Sequence, residues 1–403
     1  MSVIFFTVFI FCESAVSSPL DKLTSTLSDN DADSEDADDE DGDDSEDADD
    51  EEKSETVDAK KEIELDFELD FDYLNDVLVV VDCGEASASG FVAEMDGQKY
   101  LITNQHVIMG FDKISFTTLS GKKLKPTSVE PSKTRDIVRL KVDADVGLKI
   151  AESLDINESI VALGNSQGAG VISPLPGKIN GIGPDRIEIT SEIVGGNSGG
   201  PILNEDMEVC GIATYYVTYK GQSEGEKDTK WEMITRRFAL KLDQAKWMKV
   251  NWGKYNTVFG KKLREIDNFR NNFYSVIGFW LSSPGTMIES AVYRARDVDQ
   301  WIEHHNSMAE KIQRFDLKPS VTRNEMERKN ISIRNDLQES TDMLSKICAD
   351  KAREVGFFMR KIQMTEYLES EFVRRRDEFK AVSEIIGTYG NIRSSKAWFR
   401  FRR

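Results

Sequence analysis

The spacing of apolar residues changes three times along this 403-residue chain, and each change marks a different kind of segment. From Val3 to Cys12 apolar residues run almost without interruption, and over 19–62 they thin out among acidic ones. From about 75 to 218 they come in short runs between turn residues. Such runs predict strands near 77–81, 91–94, 99–102, 113–118, 137–142, 159–163, 186–189 and 208–217. Asp96-Gly97, between the second and third of these, is a hairpin signal. Many short strands with Gly-rich turns and no helical period predict an all-β barrel or sandwich.

Beyond about 230 the texture becomes helical. Leu344, Cys348, Ala352, Val355, Met359 and Ile362 recur at three- and four-residue steps. Leu368, Phe372, Phe379, Val382 and Ile386 continue that stripe with one gap, as one face of a bundle core would. Thr286 with Glu289, and Thr322 with Glu325 just after Pro319, read as capping boxes.

Charge sharpens this division. The formal net charge is −20, but residues 29–55 hold eighteen Asp/Glu and one Lys, so about −17 of it is local. Ser-Glu-Asp-Ala-Asp-Asp-Glu occurs at 34–40 and again at 45–51. A segment so charged cannot bury enough apolar surface to offset its ordering entropy, so 19–70 is expected to be disordered. It reads as a solubilising linker, with weak calcium binding or docking to a basic partner as the alternatives. The remainder of the chain is close to neutral, which argues against nucleic acid as a partner.

The first eighteen residues read as a signal peptide, with Ala15-Val16-Ser17 offering small residues for cleavage, although no Lys or Arg follows Met1. An extracytoplasmic protein, periplasmic or secreted and soluble after cleavage, is the expectation; a mis-set start and a short anchor are the alternatives. The last 33 residues carry nine Lys/Arg against four Asp/Glu and end Trp-Phe-Arg-Phe-Arg-Arg, a tail suited to weak contact with a membrane surface or an acidic partner. Cys83, Cys210 and Cys348 remain after the leader, and buried free thiols are favoured over a bridge. No Cys or His cluster has metal-ligand spacing, so no metal or cofactor is expected.

The chemistry concentrates in three places. Gly195-Gly196-Asn197-Ser198-Gly199-Gly200-Pro201 sets a serine on a tight turn whose glycines let backbone N–H groups converge. Upstream stand His106, in Thr-Asn-Gln-His-Val, and Asp136, in Arg-Asp-Ile-Val. A serine hydroxyl is a poor nucleophile unless a base takes its proton and a third group orients that base. Ser198 is the candidate nucleophile, His106 the base and Asp136 the orienter. The backbone N–H groups of Gly196 and Ser198 are the candidate oxyanion hole.

These blocks resemble HtrA-like trypsin-fold serine peptidases. Ser-Gly-Phe-Val and Tyr-Leu-Ile-Thr-Asn-Gln-His-Val within 89–107 are similar to the family's histidine block. Asp136-Ile137-Val138-Arg139-Leu140-Lys141-Val142 is similar to its aspartate strand, Ala162-Leu163-Gly164-Asn165 to "ALGNP", and Gly196 to Pro201 to "GNSGGP". Ala88 stands where the family's block begins with glycine. The resemblance spans about 78–218 and implies a trypsin-like double β-barrel over 71–228 with the site between barrels. An α-helical region, 229–403, would follow, making the fold class mixed.

No PDZ-type carboxylate-binding loop is recognisable, so peptide capture by such a domain is not carried over. The resemblance also implies that Glu192, six residues before the nucleophile, lies at the base of the primary specificity pocket, with Ala213 and Thr214 in its walls. The expectation is an exported serine endopeptidase acting on protein or peptide substrates through an acyl-enzyme. The alternative is a latent or inactive scaffold that presents the helices to a protein partner.

Overall fold

A computed structural model describes residues 9–11, 65–222, 231–282 and 323–393. The expected cleavage site, the acidic repeats, both expected capping threonines and residues 394–403 lie outside the described residues. Of the N-terminal apolar run, the backbone of Phe9–Phe11 (β1) pairs antiparallel with Tyr215, Tyr216 and Val217.

Alternation of apolar and acidic residues in Leu65-Asp66-Phe67-Glu68-Leu69-Asp70 turns alternate side chains inward, and Leu65, Phe67 and Leu69 pack on the first barrel's core. Packing on the first barrel therefore reaches back to Leu65, before the expected 71. A short helix, Phe71–Val77 (α1), is capped by Asp70, whose side chain accepts from Tyr73 N at 3.0 Å. It delivers Leu78–Asp82 (β2), followed by Ser87–Met95 (β3) and Gln98–Thr103 (β4). Asp96 and Gly97 turn that last hairpin with φ of 53° and 68°, the positive values such a turn requires. One turn of helix, Gln105–Ile108 (α2), then precedes Ser115–Thr118 (β5), Ser128–Pro131 (β6) and Val138–Lys141 (β7). The six strands pair in the order β5-β2-β3-β4-β7-β6 around Val79, Phe91, Leu101, Ile102 and Ile137.

The second barrel is built from Ser159–Asn165 (β8), Ile172–Ile182 (β9), Arg186–Ile189 (β10), Pro201–Leu203 (β11), Val209–Gln222 (β12) and Trp231–Leu240 (β13). Their order is β12-β11-β8-β9-β10-β13, and β13 pairs back onto β12, which closes the cylinder. Ile160, Ile179, Ile187, Ile202 and Ala239 fill it.

Strands β6, β9, β11 and β13, like β1, are absent from the strands expected on sequence. Pro174 and Pro176 argue against a strand at 172–182, yet β10 covers only Ile179–Ile182, so both prolines lie on the uncovered part of β9, where a missing N–H costs no ladder bond to β10. In β13 the expectation of helix beyond 230 fails, and the barrel domain extends to 240 rather than 228. Consecutive Arg236 and Arg237 hide the alternation; the Arg236 guanidinium lies along the sheet, 5.3 Å from the Phe238 ring and 2.5 Å from Glu188.

After β13 the chain crosses β6 and enters a helical layer. Trp252–Tyr255 (α3) runs through a π-turn at Asn256–Gly260 into Lys261–Ser282 (α4). Arg323–Lys361 (α5) and Glu366–Arg393 (α6) form an antiparallel hairpin. The apolar stripe read as one interrupted helix face is split by a reversal at 362–365. Thr365 restarts the helix, accepting from Leu368 N at 3.3 Å, with Glu366 and Glu369 in the positive first turn. Leu344, Cys348, Val355, Leu368, Phe372, Phe379 and Ile386 are buried against Ile266, Phe269 and Phe273 of α4. Each such side chain contributes about 1.5–3 kcal/mol by leaving water.

One charged cluster sits inside this layer. Arg375 is 6% exposed and reaches Asp267 and Glu371, both at 2.6 Å. Burial alone would raise both carboxyls, but Arg375 and Arg374 hold them below the usual carboxylate range. Arg375→Ala would leave buried Glu371 and half-buried Asp267 short of their partner, at an expected cost of about 3 kcal/mol in denaturant unfolding. The lowered native values mean that the pair's stabilisation is complete above about pH 5 and lost as pH falls through them. The variant's unfolding free energy should accordingly change less with pH on the acid side.

Candidate active site

His106 lies in α2, directly after β4, and the two preceding amides explain how it meets Asp136. Asn104 and Gln105 are fully buried, so their side chains must find partners inside the protein. Asn104 Nδ2 donates to the Asp136 carbonyl at 2.6 Å, and Gln105 Nε2 to the carbonyls of Ser132 and Arg135 at 2.9 and 2.8 Å. Ser132 Oγ in turn accepts from the N–H groups of Thr134 and Arg135. The loop between β6 and β7 is thereby pinned against α2.

With both segments pinned, the Asp136 carboxylate faces His106. Asp136 Oδ2 lies 2.5 Å from His106 Nδ1, and Oδ1 accepts from His106 N at 3.0 Å. A carboxylate has only acceptors, so Nδ1 carries the proton and Nε2 presents a lone pair.

Ser198 sits on the turn into β11 and is held from three sides. Its carbonyl accepts from Ser89 N at 3.0 Å, while Ser89 Oγ donates to the Gly196 carbonyl at 2.8 Å. Gly199 N donates to the Ala213 carbonyl at 2.9 Å. The Ser198 hydroxyl lies 3.5 Å from the Thr214 carbonyl. Thr214 Oγ1 accepts from Asn104 Nδ2 at 3.2 Å, which ties β12, beside the serine turn, to the segment that bears the histidine. Ser198, Asp136 and half-buried His106 thus come from three separate elements at the junction of the two barrels.

Gly196 has φ of +92°, and a Cβ there would stand 2.0 Å from the Asn165 carbonyl oxygen, so only glycine fits. Asn197 anchors the turn through Val194 N, donating to its Oδ1 at 2.7 Å, and through its own Nδ2 on Ser166 Oγ. Among the described residues, the N–H groups of Gly196 and Ser198 meet no acceptor. Two unused donors beside a serine are what a developing oxyanion requires.

The residues expected around the specificity pocket fall differently. Ala213 and Thr214 are buried in β12, Thr214 beside Ser198. Glu192 is exposed between buried Ser191 and Ile193, so its carboxylate belongs to the surface rather than to a pocket floor. Cys83, Cys210 and Cys348 are free and buried. Burial pushes the Cys83 and Cys210 thiols up to about 12, away from reactive thiolates. Among the described residues, no three His, Cys, Asp or Glu side chains converge as a metal site would need.

Two features of the site have no local signature. Asn104 and Gln105 stand in the histidine motif, but their reach across the barrel is visible only in three dimensions. Tyr367, in α6, donates its hydroxyl to Asp136 Oδ1 at 2.8 Å from a distance of 231 residues along the chain.

Residues 88–212 match the family description "Trypsin-like peptidase domain". The chain is similar to a probable periplasmic serine endoprotease DegP-like of Halomonas elongata, 34% identical over 144 residues, covering 33% of this chain and 30% of that one. It is likewise similar to serine protease HTR4 of Rattus norvegicus, 32% identical over 149 residues, with 33% and 30% covered. Among solved structures, the serine endoprotease from Yersinia pestis matches over 42% of this chain and 60% of that one, at 22% identity and a TM-score of 0.32. The chain spans about 30% of the length of the curated relatives it matches.

Proposed function

From the premise that residues 88–212 are an HtrA-like trypsin-fold peptidase domain, we propose that this chain is a serine endopeptidase. The observation that carries the reading is the Asp136–His106 contact at 2.5 Å, next to a serine turn with two free N–H donors. His106 Nε2 takes the Ser198 proton as Oγ attacks a peptide carbonyl. The N–H groups of Gly196 and Ser198 hold the oxyanion. His106 then gives the proton to the leaving amine, and water hydrolyses the ester on Ser198. Asp136 keeps the imidazole oriented and stabilises its charged form.

Proteins or peptides are the substrates on this reading, and no cofactor takes part. The apolar N-terminal run and the likeness to periplasmic relatives support an extracytoplasmic location. Labelling with a fluorophosphonate probe, mapped by mass spectrometry, tests the reading: label on Ser198 of the folded chain is expected. A folded chain that takes no label there would turn the reading toward a scaffold that uses its helices for binding.

A further inference from the structure

We propose that the helical layer is part of the catalytic apparatus, and that Tyr367 is a positioning residue which acts on His106 through Asp136. The inference rests on the peptidase reading and adds a fourth side chain to its triad. Asp136 Oδ1 receives two donors, His106 N at 3.0 Å and the Tyr367 hydroxyl at 2.8 Å. The first comes from the barrel and the second from α6. Tyr367 is 6% exposed, and its own backbone N–H, unpaired within the first turn of α6, donates to the Lys133 carbonyl at 3.0 Å. Both ends of this residue therefore hold the loop that carries Asp136.

The docking does not depend on one contact. Tyr255 Oη donates to Gln105 Oε1 at 3.1 Å, beside the histidine. The Asn256 side chain takes Gly110 N at 2.6 Å and gives to the Phe111 carbonyl at 2.8 Å. Arg264 covers the Phe111 ring at 3.8 Å and pairs with Glu85. Helices α3, α4 and α6 thus grip the segments on both sides of His106. A bundle that only hung from the barrel would have no reason to place a hydroxyl on a buried carboxylate.

A hydroxyl donated to Asp136 disperses the negative charge that would otherwise attract the imidazolium. Removing it should strengthen that attraction and raise the pH at which His106 titrates. Burial, together with the Asp136 charge, pushes the Tyr367 phenol well above its ordinary value, so it remains a neutral donor across the working range. Besides Asp136 and Tyr367, the ionisable groups around the His106 cavity of about 220 Å³ are Glu85, Arg264, Asp267, Glu371 and Arg375. On the other side of Asp136 stand Arg135, Asp185, Arg186 and Arg374. Glu371 and Arg375 also act on the Tyr367 phenol through their charges, and Tyr367→Phe leaves those side chains in place while removing the bond to Asp136.

The experiment uses the full chain and Tyr367→Phe, which removes one oxygen. A bond to a charged group supports an expected fall in kcat of about tenfold or more with KM little changed. In NMR titration of the imidazoles, where His106 has only His304 and His305 for company, its midpoint should rise. Fluorinated tyrosine at 367, a stronger donor in the same place, should lower it. Phe372→Leu, which loosens the same helix away from Asp136, should reduce stability and leave the His106 midpoint alone. An unmoved midpoint in both the phenylalanine and the fluorinated chains overturns the proposal, whatever happens to activity. The midpoint is readable without turnover. A wild-type chain that takes no probe on Ser198 would sink the peptidase reading while leaving this coupling to be judged by itself.

Discussion

Ser198→Ala is expected to lower kcat by about 10⁶-fold, and His106→Ala by a similar factor, because the two side chains perform a single proton-coupled attack. For the same reason the double variant should be hardly slower than either single one. Independent roles would multiply; a shared step cannot be lost twice. A residual acceleration of roughly 10³-fold over water should survive, since the N–H groups of Gly196 and Ser198 belong to the backbone and remain in place. Peptide hydrolysis by the three variants at one pH, beside unchanged thermal unfolding, is the measurement. Multiplying losses, or hydrolysis by Ser198→Ala near the wild-type rate, would remove Ser198 from the role assigned to it.

Asp136→Asn is expected to cost about 10⁴-fold in kcat while the fold survives. The geometry gives the reason. Oδ1 already receives both His106 N and the Tyr367 hydroxyl, so an asparagine must place its carbonyl oxygen there. Its NH₂ group then has to face His106 Nδ1, which would have to give up its proton and become an acceptor. The proton moves to Nε2, and the lone pair that should receive the Ser198 proton is gone. Thermal unfolding within a few degrees of wild type and a slow but measurable hydrolysis are the expected results. An Asp136→Asn chain with full activity would show that the carboxylate orients nothing.

These three substitutions mark what the sequence makes legible. Ser198, His106 and Asp136 stand out because each lies in a short motif whose residue types chemistry restricts: glycines around the serine, small and amide residues before the histidine. The first-barrel hairpin at Asp96-Gly97 is legible for a similar local reason, since that turn needs positive φ. Strand β9 is not, because the tolerance of Pro174 and Pro176 depends on how far β10 extends beside them. Strand β13 hides its alternation under consecutive Arg236 and Arg237, and the Arg236 side chain lies over Phe238 although its charge reads as solvent. Glu192 misleads in the other direction: a fixed offset from the nucleophile cannot say whether a loop turns a carboxylate inward, and this one turns it out.

What the sequence by itself determined is the set of candidate reacting groups and the kind of scaffold that holds them. Turn chemistry, strand patterning and nucleophile environment are short-range, so they leave marks within a few residues. Only the tertiary structure brings the helices to the candidate site. Tyr367 carries no motif, and its hydroxyl becomes significant only when a buried carboxylate 231 residues away needs a second donor on Oδ1. Burial sets that demand, and burial is a property of the packed molecule. The helical stripe announced a core; docking against the barrel joined it to the Asp136 loop.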